Sequence, residues 1–233
     1  MLLVMPRTAR KVPGGMIFHV LNRRVGRSEM FQKDEDFAAF ERVLAYALDD
    51  AGVDLLAYCL MPNHWHLLLR PAGDKDLGQF MQRLTITHTR RWKEHYREVG
   101  HGHLYQGRFK SFPVQDDPHF LTVARYVERN ALRAGLVKRA ENWRWSSLWR
   151  YLGRDLDESR PPLPLSPWPV RRRPDWLTWI NEPQTNAELE ALRISVNKGR
   201  PFGERHWQAS IADELGLGSS FREAGRPKKM KEA

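Results

Sequence analysis

A chain of 233 residues with 41% hydrophobic content can bury one substantial core and still carry an appendage. Lys and Arg outnumber Asp and Glu by 38 to 28, and the resulting net charge of +10 draws polyanions, nucleic acid foremost; nine Trp add surfaces on which bases can stack. The single cysteine, Cys59, excludes intrachain disulfides and multi-cysteine zinc modules, which fits a reducing cytoplasm. Residues 1–5 are too short an apolar start for a signal segment and no stretch nears the ~20 apolar residues of a membrane span, so a soluble, unexported protein is expected.

Residues 16–24 (MIFHVLNRR) alternate apolar and polar after a Pro-Gly-Gly turn and are expected to form a first strand ending in arginines. From Asp34, the positions Phe37, Phe40, Val43, Leu44, Ala47 and Leu48 follow a helical period that Gly52 stops. Residues 53–61 (VDLLAYCLM) and 64–70 (HWHLLLR) are apolar runs joined by the turn dipeptide Pro62-Asn63, which predicts a central antiparallel hairpin. A second helix is expected over 77–98, with Phe80, Met81, Leu84, His88, Trp92 and Tyr96 on one side and many Lys and Arg on the other. After a loop with Gly100, Gly102 and Gly107, residues 110–115 read as an edge strand. Asp116-Asp117-Pro118 starts a third helix that packs Phe120, Ala124, Val127 and Ala131 and ends before Gly135.

This order predicts an α+β fold over residues 1–153: a two-layer sandwich, an antiparallel sheet with helices on one face. Residues 154–184 are crowded with proline and read as an extended linker. Residues 185–233 read as a small helical, basic, DNA-binding C-terminal extension, with a helix pair of the helix-turn-helix sort in 202–217 and a basic arm at 225–229.

His64-Trp65-His66 is the sharpest local feature, because side chains two apart on a strand share a face and two imidazoles then converge on one point. At the start of a buried strand that pair suits a divalent metal better than two unpartnered imidazoles. His101 and His103, with His95 nearby, form a rival group, but a glycine-rich loop holds them poorly and they are expected to face solvent or phosphates. Without thiolates, Mg²⁺ or Mn²⁺ is preferred to structural zinc. On the third helix Tyr126 and Asn130 lie one turn apart, with Arg129 and Arg133 close by, and the packed residues occupy the other side.

The stretches 61–69 (MPNHWHLLL), 105–110 (YQGRFK), 126–137 (YVERNALRAGLV) and 143–153 (WRWSSLWRYLG) together resemble the REP-associated tyrosine transposases, single-tyrosine members of the HUH endonuclease superfamily; the likeness spans most of residues 13–153. It implies the ferredoxin-like HUH fold, with His64, His66 and Asn130 as metal ligands and Tyr126 as the nucleophile. Family members commonly have Asn-Pro where this chain has Asn130-Ala131, and the chain beyond residue 155 is longer than in the most compact members.

What the resemblance implies is cleavage and rejoining of single-stranded, hairpin, repeat-associated DNA. Tyr126 would attack the scissile phosphate to leave a 5′-phosphotyrosine and a free 3′-OH, with a bound metal polarising the phosphate. Arg129 and Arg133 are candidates to favour the phenolate. Arg23, Arg24, Arg27, Arg90, Arg91, Arg108 and Lys110 are expected to join them in contacting DNA phosphates, and bases would fall to the segment 7–11 or the C-terminal unit. A monomer or homodimer at the bacterial nucleoid is expected. The competing readings are a hairpin-binding protein that no longer cuts, and a metal-dependent hydrolase that uses water and tolerates Tyr126→Phe.

Overall fold

The computed structural model describes residues 11–154 and 163–222. In chain order it contains β1 (Ile17–Arg23), α1 (Asp34–Leu48), β2 (Val53–Met61), β3 (His64–Pro71), α2 (Asp76–His95), β4 (Lys110–Val114), α3 (Pro118–Glu128), the single turn α4 (Asn130–Arg133), α5 (Ser147–Tyr151), α6 (Trp176–Asn181), α7 (Asn186–Lys198) and α8 (Arg205–Glu214). The residues anticipated in the arm at 225–229, in positions 7–10 and in the proline run 155–162 lie outside the described residues. Local signals act as expected: Asp36 accepts the backbone N–H groups of Gln32 and Lys33 to start α1, and Asp117 accepts that of His119 beside Pro118 to start α3.

The four strands run in the order β2-β3-β1-β4 with every neighbouring pair antiparallel, so β3 and β1 are central. The α+β class and the antiparallel sheet agree with the sequence. The helices, however, cover both faces and not one. Phe18, Val20, Leu67 and Leu69 pack against Phe40 and Leu44 of α1 and Phe80 and Leu84 of α2. Ile17, Leu68 and Cys59 pack against Phe120, Ala124 and Val127 of α3. β2 shows the physical reason: its run from Leu55 to Met61 is buried throughout, which is what a strand covered on both sides requires.

The third helix is interrupted at Arg129 (φ −86°, ψ −2°) before its last turn, α4, and closes at Gly135, whose φ of +72° a β-carbon would disfavour. Residues 202–217 do not form a helix pair. Phe202 instead lies parallel to Val114, with its N–H on the Pro113 carbonyl and its own carbonyl taking the Gln115 N–H, and only α8 follows. Backbone pairing along the sheet edge here outweighs the helical period.

The part of the expected linker that the structure describes is packed, not extended into solvent. Leu165 pairs with Leu55 at the outer edge of β2, and the Ser166 N–H reaches the Leu55 carbonyl at 2.9 Å. Trp168 Nε1 donates to the carbonyl of Leu56 at 2.7 Å, where a bulge in β2 breaks the ladder. Arg172 stacks on Trp168 at 3.5 Å and donates to Glu128, which also accepts from Ser147 Oγ and Trp176 Nε1 and is fully buried. Trp176, Ile180, Leu192 and Phe202 belong to the same apolar cluster as α3. The break expected at residue 153 therefore has no counterpart in the packing, because the tryptophans and leucines between the prolines bury more apolar surface on the sheet than in a free spacer. No helix among the described residues is long and apolar enough to cross a membrane.

Trp176→Ala removes an indole that is 3% exposed, from outside the sheet domain. A loss of about 3–5 kcal/mol in urea unfolding is expected, with one cooperative transition; a loss near zero would show that residues after 163 are a separable appendage.

Candidate active site on the α3 face of the sheet

Alternation along β1 and β3 decides which side chains meet. Register pairs Arg23 with His64 and Leu21 with His66, so the odd positions of β1 and the even positions of β3 look toward α3. His64 and His66 thus face α3 together, with ring centroids 4.9 Å apart. The Tyr126 ring stands edge-on to His66 at 5.7 Å. Although Tyr126 was not needed as a core residue by its helical spacing, its ring is 5% exposed and part of the α3 cluster, with its hydroxyl at the margin beside Arg133. The Arg133 guanidinium lies over that ring at 4.7 Å and donates to Tyr126 Oη at 3.5 Å and to Asn130 Oδ1 at 3.2 Å. His64, His66, Tyr126 and Asn130 are therefore joined through one cation and two ring contacts.

Two neighbours escape sequence inspection. Asn63 Oδ1 accepts from His64 Nδ1 at 2.6 Å, which leaves the Nε2 lone pair of His64 unused by that contact. His19, two residues before Leu21 on β1, is fully buried, and its Nε2 lies 2.8 Å from His66 Nδ1. Strand alternation placed His19 on the same face as the paired histidines, and that was the available signal. Among the described residues His66 Nε2 and Asn130 Nδ2 are buried without a hydrogen-bond partner.

Burial dominates the electrostatics. It pushes His19 and His64 down to about 3, with Arg23 and Arg133 adding repulsion at His64, and it holds His66 well below the ordinary imidazole range with help from its histidine neighbours. All three rings are neutral at pH 7 and keep lone pairs for ligation. Burial first, and then Arg27 and Arg133, also lower Arg23, while Tyr126 raises it, so these cations share one neighbourhood.

Among the described residues no three His, Cys, Asp or Glu side chains converge as a metal group. A metal at this point would need the amide of Asn130 as third donor. Two imidazole nitrogens and an amide oxygen make a donor set compatible with Mg²⁺ or Mn²⁺, and the unpartnered, buried His66 Nε2 fits the role of ligand. The rival histidines do not assemble: His95 contacts Lys33, His101 offers a backbone carbonyl to Lys93, and His103 lines a separate groove.

The expected DNA-contacting cations divide. Arg23 and Arg133 lie near enough to His64 to act on its charge, and Arg27 acts in turn on Arg23. Arg90 and Arg108 line a groove of about 1090 Å³ between α2 and the loop before β4, on the opposite side of the sheet. Arg91 borders a smaller cavity near Tyr96, and Lys110 donates to Asn197 in the last turn of α7. Arg24 is committed to the fold, stacked on Trp92 at 4.2 Å and paired with Glu98. Arg129 also turns away, donating to the Glu182 carbonyl at 3.0 Å, which removes it from the pair expected beside the phenol.

The chain belongs to the IS200-like transposase family, whose model matches residues 14–130, half of its length and a span that holds His64, His66, Tyr126 and Asn130. It is similar to the REP-associated tyrosine transposase of Escherichia coli (strain K12), at 22% identity over 150 residues, covering 62% of this chain and 83% of that one. A Haemophilus influenzae relative assigned to the same group is 27% identical over 108 residues, covering 42% of this chain and 60% of that one. Among solved structures, a REP-associated tyrosine transposase bound to a REP hairpin aligns with a TM-score of 0.48 at 16% identity, covering 70% of this chain and 94% of that one.

His88 is a fourth buried imidazole, bonded to Tyr105 Oη at 2.6 Å and lowered by burial to about 3. The unfolded chain takes up a proton at each of these rings near pH 6.5, whereas the folded state does so only near 3 for His19, His64 and His88. Their contribution to stability is therefore complete above pH 6.5 and is lost as the pH falls toward 3. Urea unfolding between pH 6.5 and 4.5 should lose more than the roughly 1.4 kcal/mol per pH unit that one imidazole gives, and a flat profile would contradict the neutral site.

Proposed function

We propose that this chain cleaves and rejoins single-stranded DNA beside a hairpin, through a covalent bond between Tyr126 and a 5′-phosphate. The observation that carries the reading is the buried Tyr126 ring against His66, with Arg133 on both its hydroxyl and Asn130. Family membership across residues 14–130 and the hairpin bound to a solved relative support the substrate class. The metal, Mg²⁺ or Mn²⁺, would be held by His64, His66 and Asn130, and when bound it supplies Lewis-acid polarisation of the scissile phosphate.

The chain's own residues account for the rest. Tyr126 Oη forms a bond to phosphorus while the bond from phosphorus to the 3′ oxygen breaks; the phenolic proton leaves Tyr126 and the departing 3′ oxygen ends as a hydroxyl. Arg133, the cation that reaches Oη, stabilises negative charge on the phenolate and on the phosphoryl oxygens. The phosphodiester energy is retained in the phosphotyrosine, so attack by another 3′-OH reverses the step without a nucleotide cofactor. Arg23 and Arg27 would fix the strand at the site by phosphate contact, and Arg90 and Arg108 would attract flanking DNA to their groove. A protein with this activity would act in the bacterial cytoplasm, at the nucleoid.

Incubating labelled single-stranded hairpin DNA with Mn²⁺ and resolving the products on a denaturing gel tests the reading. Wild type should give a covalent protein-DNA band that chelator removes, and Tyr126→Phe and His64→Ala should give none. Arg133→Ala should form it more slowly, on the order of 10²-fold. Cutting that survives Tyr126→Phe would make water the nucleophile, and tight binding without any adduct would make the protein a hairpin-binding module.

A further inference from the structure

We propose that His19 is a positioning residue for the site: it fixes the tautomer and orientation of His66. This role presupposes the metal site proposed above and adds a group to it that touches neither DNA nor the metal. The ring of His19 is fully buried, so it has no path to substrate. It is held on three sides, tilted against Phe112 of β4 at 4.7 Å, edge-on to Tyr126 at 6.2 Å, and bonded through Nε2 to His66 Nδ1 at 2.8 Å.

A neutral imidazole carries one N–H and one lone pair, so the contact between His19 and His66 can exist in only two senses. If His66 Nδ1–H donates to His19 Nε2, the lone pair of His66 lies on Nε2, the atom that is buried without a partner. If His19 Nε2–H donates instead, His66 must carry its proton on Nε2, where it would find no acceptor and could not ligate. The first arrangement leaves the proton on His19 Nδ1, also unpartnered among the described residues, and not on the ring proposed to ligate. His64 is set in the parallel way by Asn63 Oδ1. A histidine thus does for His66 what an amide does for its neighbour, and outer groups of this kind influence metal affinity by about 10- to 100-fold.

Two measurements decide it. In wild type without metal, ¹⁵N spectra of the histidine rings should show His66 as the Nδ1–H tautomer, and the Nε2–H form would overturn the assignment whether or not any variant folds. For the variants, Mn²⁺ affinity is measured by titration calorimetry alongside thermal unfolding. His19→Phe fills the same space without an acceptor and should weaken Mn²⁺ binding by about 10- to 100-fold with its unfolding temperature maintained. His19→Gln restores an acceptor oxygen and should recover most of the affinity. Equal affinity in His19→Phe and wild type, or a loss in His19→Gln as large as in His19→Phe, would sink the role. Because the tautomer is read without metal, a wild type that failed to bind Mn²⁺ would bring down the metal assignment while the spectra still decided what His19 does to His66.

Discussion

The antiparallel pairing of β1 with β3 at the middle of the sheet is the contact on which the rest depends. It sets Arg23 opposite His64 and Leu21 opposite His66, and it delivers His19 to the same face two residues earlier. A slip of one residue would turn every one of these side chains toward α1 and α2, into a core built from Phe40, Leu44, Phe80 and Leu84. Trp65, between the two histidines, locks the register from that side: it is fully buried against Phe40 and bonded through Nε1 to Tyr105 Oη. The apolar face of the strand thus specifies where the polar face points.

The chain after residue 163 completes the α3 side. Burying a sheet on both faces and along both edges takes more chain than three helices supply, and the C-terminal residues provide it. Leu165 runs beside β2, Phe202 runs beside β4, and Trp176 enters the α3 cluster between them. Glu128 ties these pieces together from the last turn of α3, two residues from Tyr126. Its carboxylate is fully buried, and acceptance of three donors from Ser147, Arg172 and Trp176 offsets the cost of burying that charge. The helix carrying Tyr126 is fixed in place by residues that sequence reading assigned to a spacer.

Much of this was legible. Period and punctuation located the strands, the hairpin at Pro62-Asn63 and the start of α3 at Asp117, because those signals act within a few residues. The pairing of His64 with His66 was legible for the same reason, since alternation on a strand is local. What escaped depends on contacts between distant segments. Arg129 and Arg133 are equivalent by helical spacing, and only the docking of the Glu182 carbonyl separates them. His19 lies 47 residues from His66 and is joined to it by strand pairing. The edge role of Phe202 likewise follows from a sheet edge that no local pattern records, which is why a helix pair was expected there.

The site is costly to the fold, and the cost is informative. Each buried polar atom without a partner forfeits roughly 1–3 kcal/mol, and His66 Nε2, Asn130 Nδ2 and His19 Nδ1 are all of this kind within one neighbourhood. Leucine or phenylalanine at these positions would pack the α3 face more favourably. The surrounding core can carry the deficit: Leu67, Leu68 and Leu69 follow directly on β3, and all are fully buried. Elsewhere among the described residues His88 is supplied by Tyr105 and Tyr58 by Glu41, while Arg125 Nε, both polar atoms of the Gln184 side chain and Ser220 Oγ are also buried without a partner. The three at His19, His66 and Asn130 stand together beside a tyrosine and an arginine that reaches its hydroxyl. They are what a face prepared to bind something else would leave open.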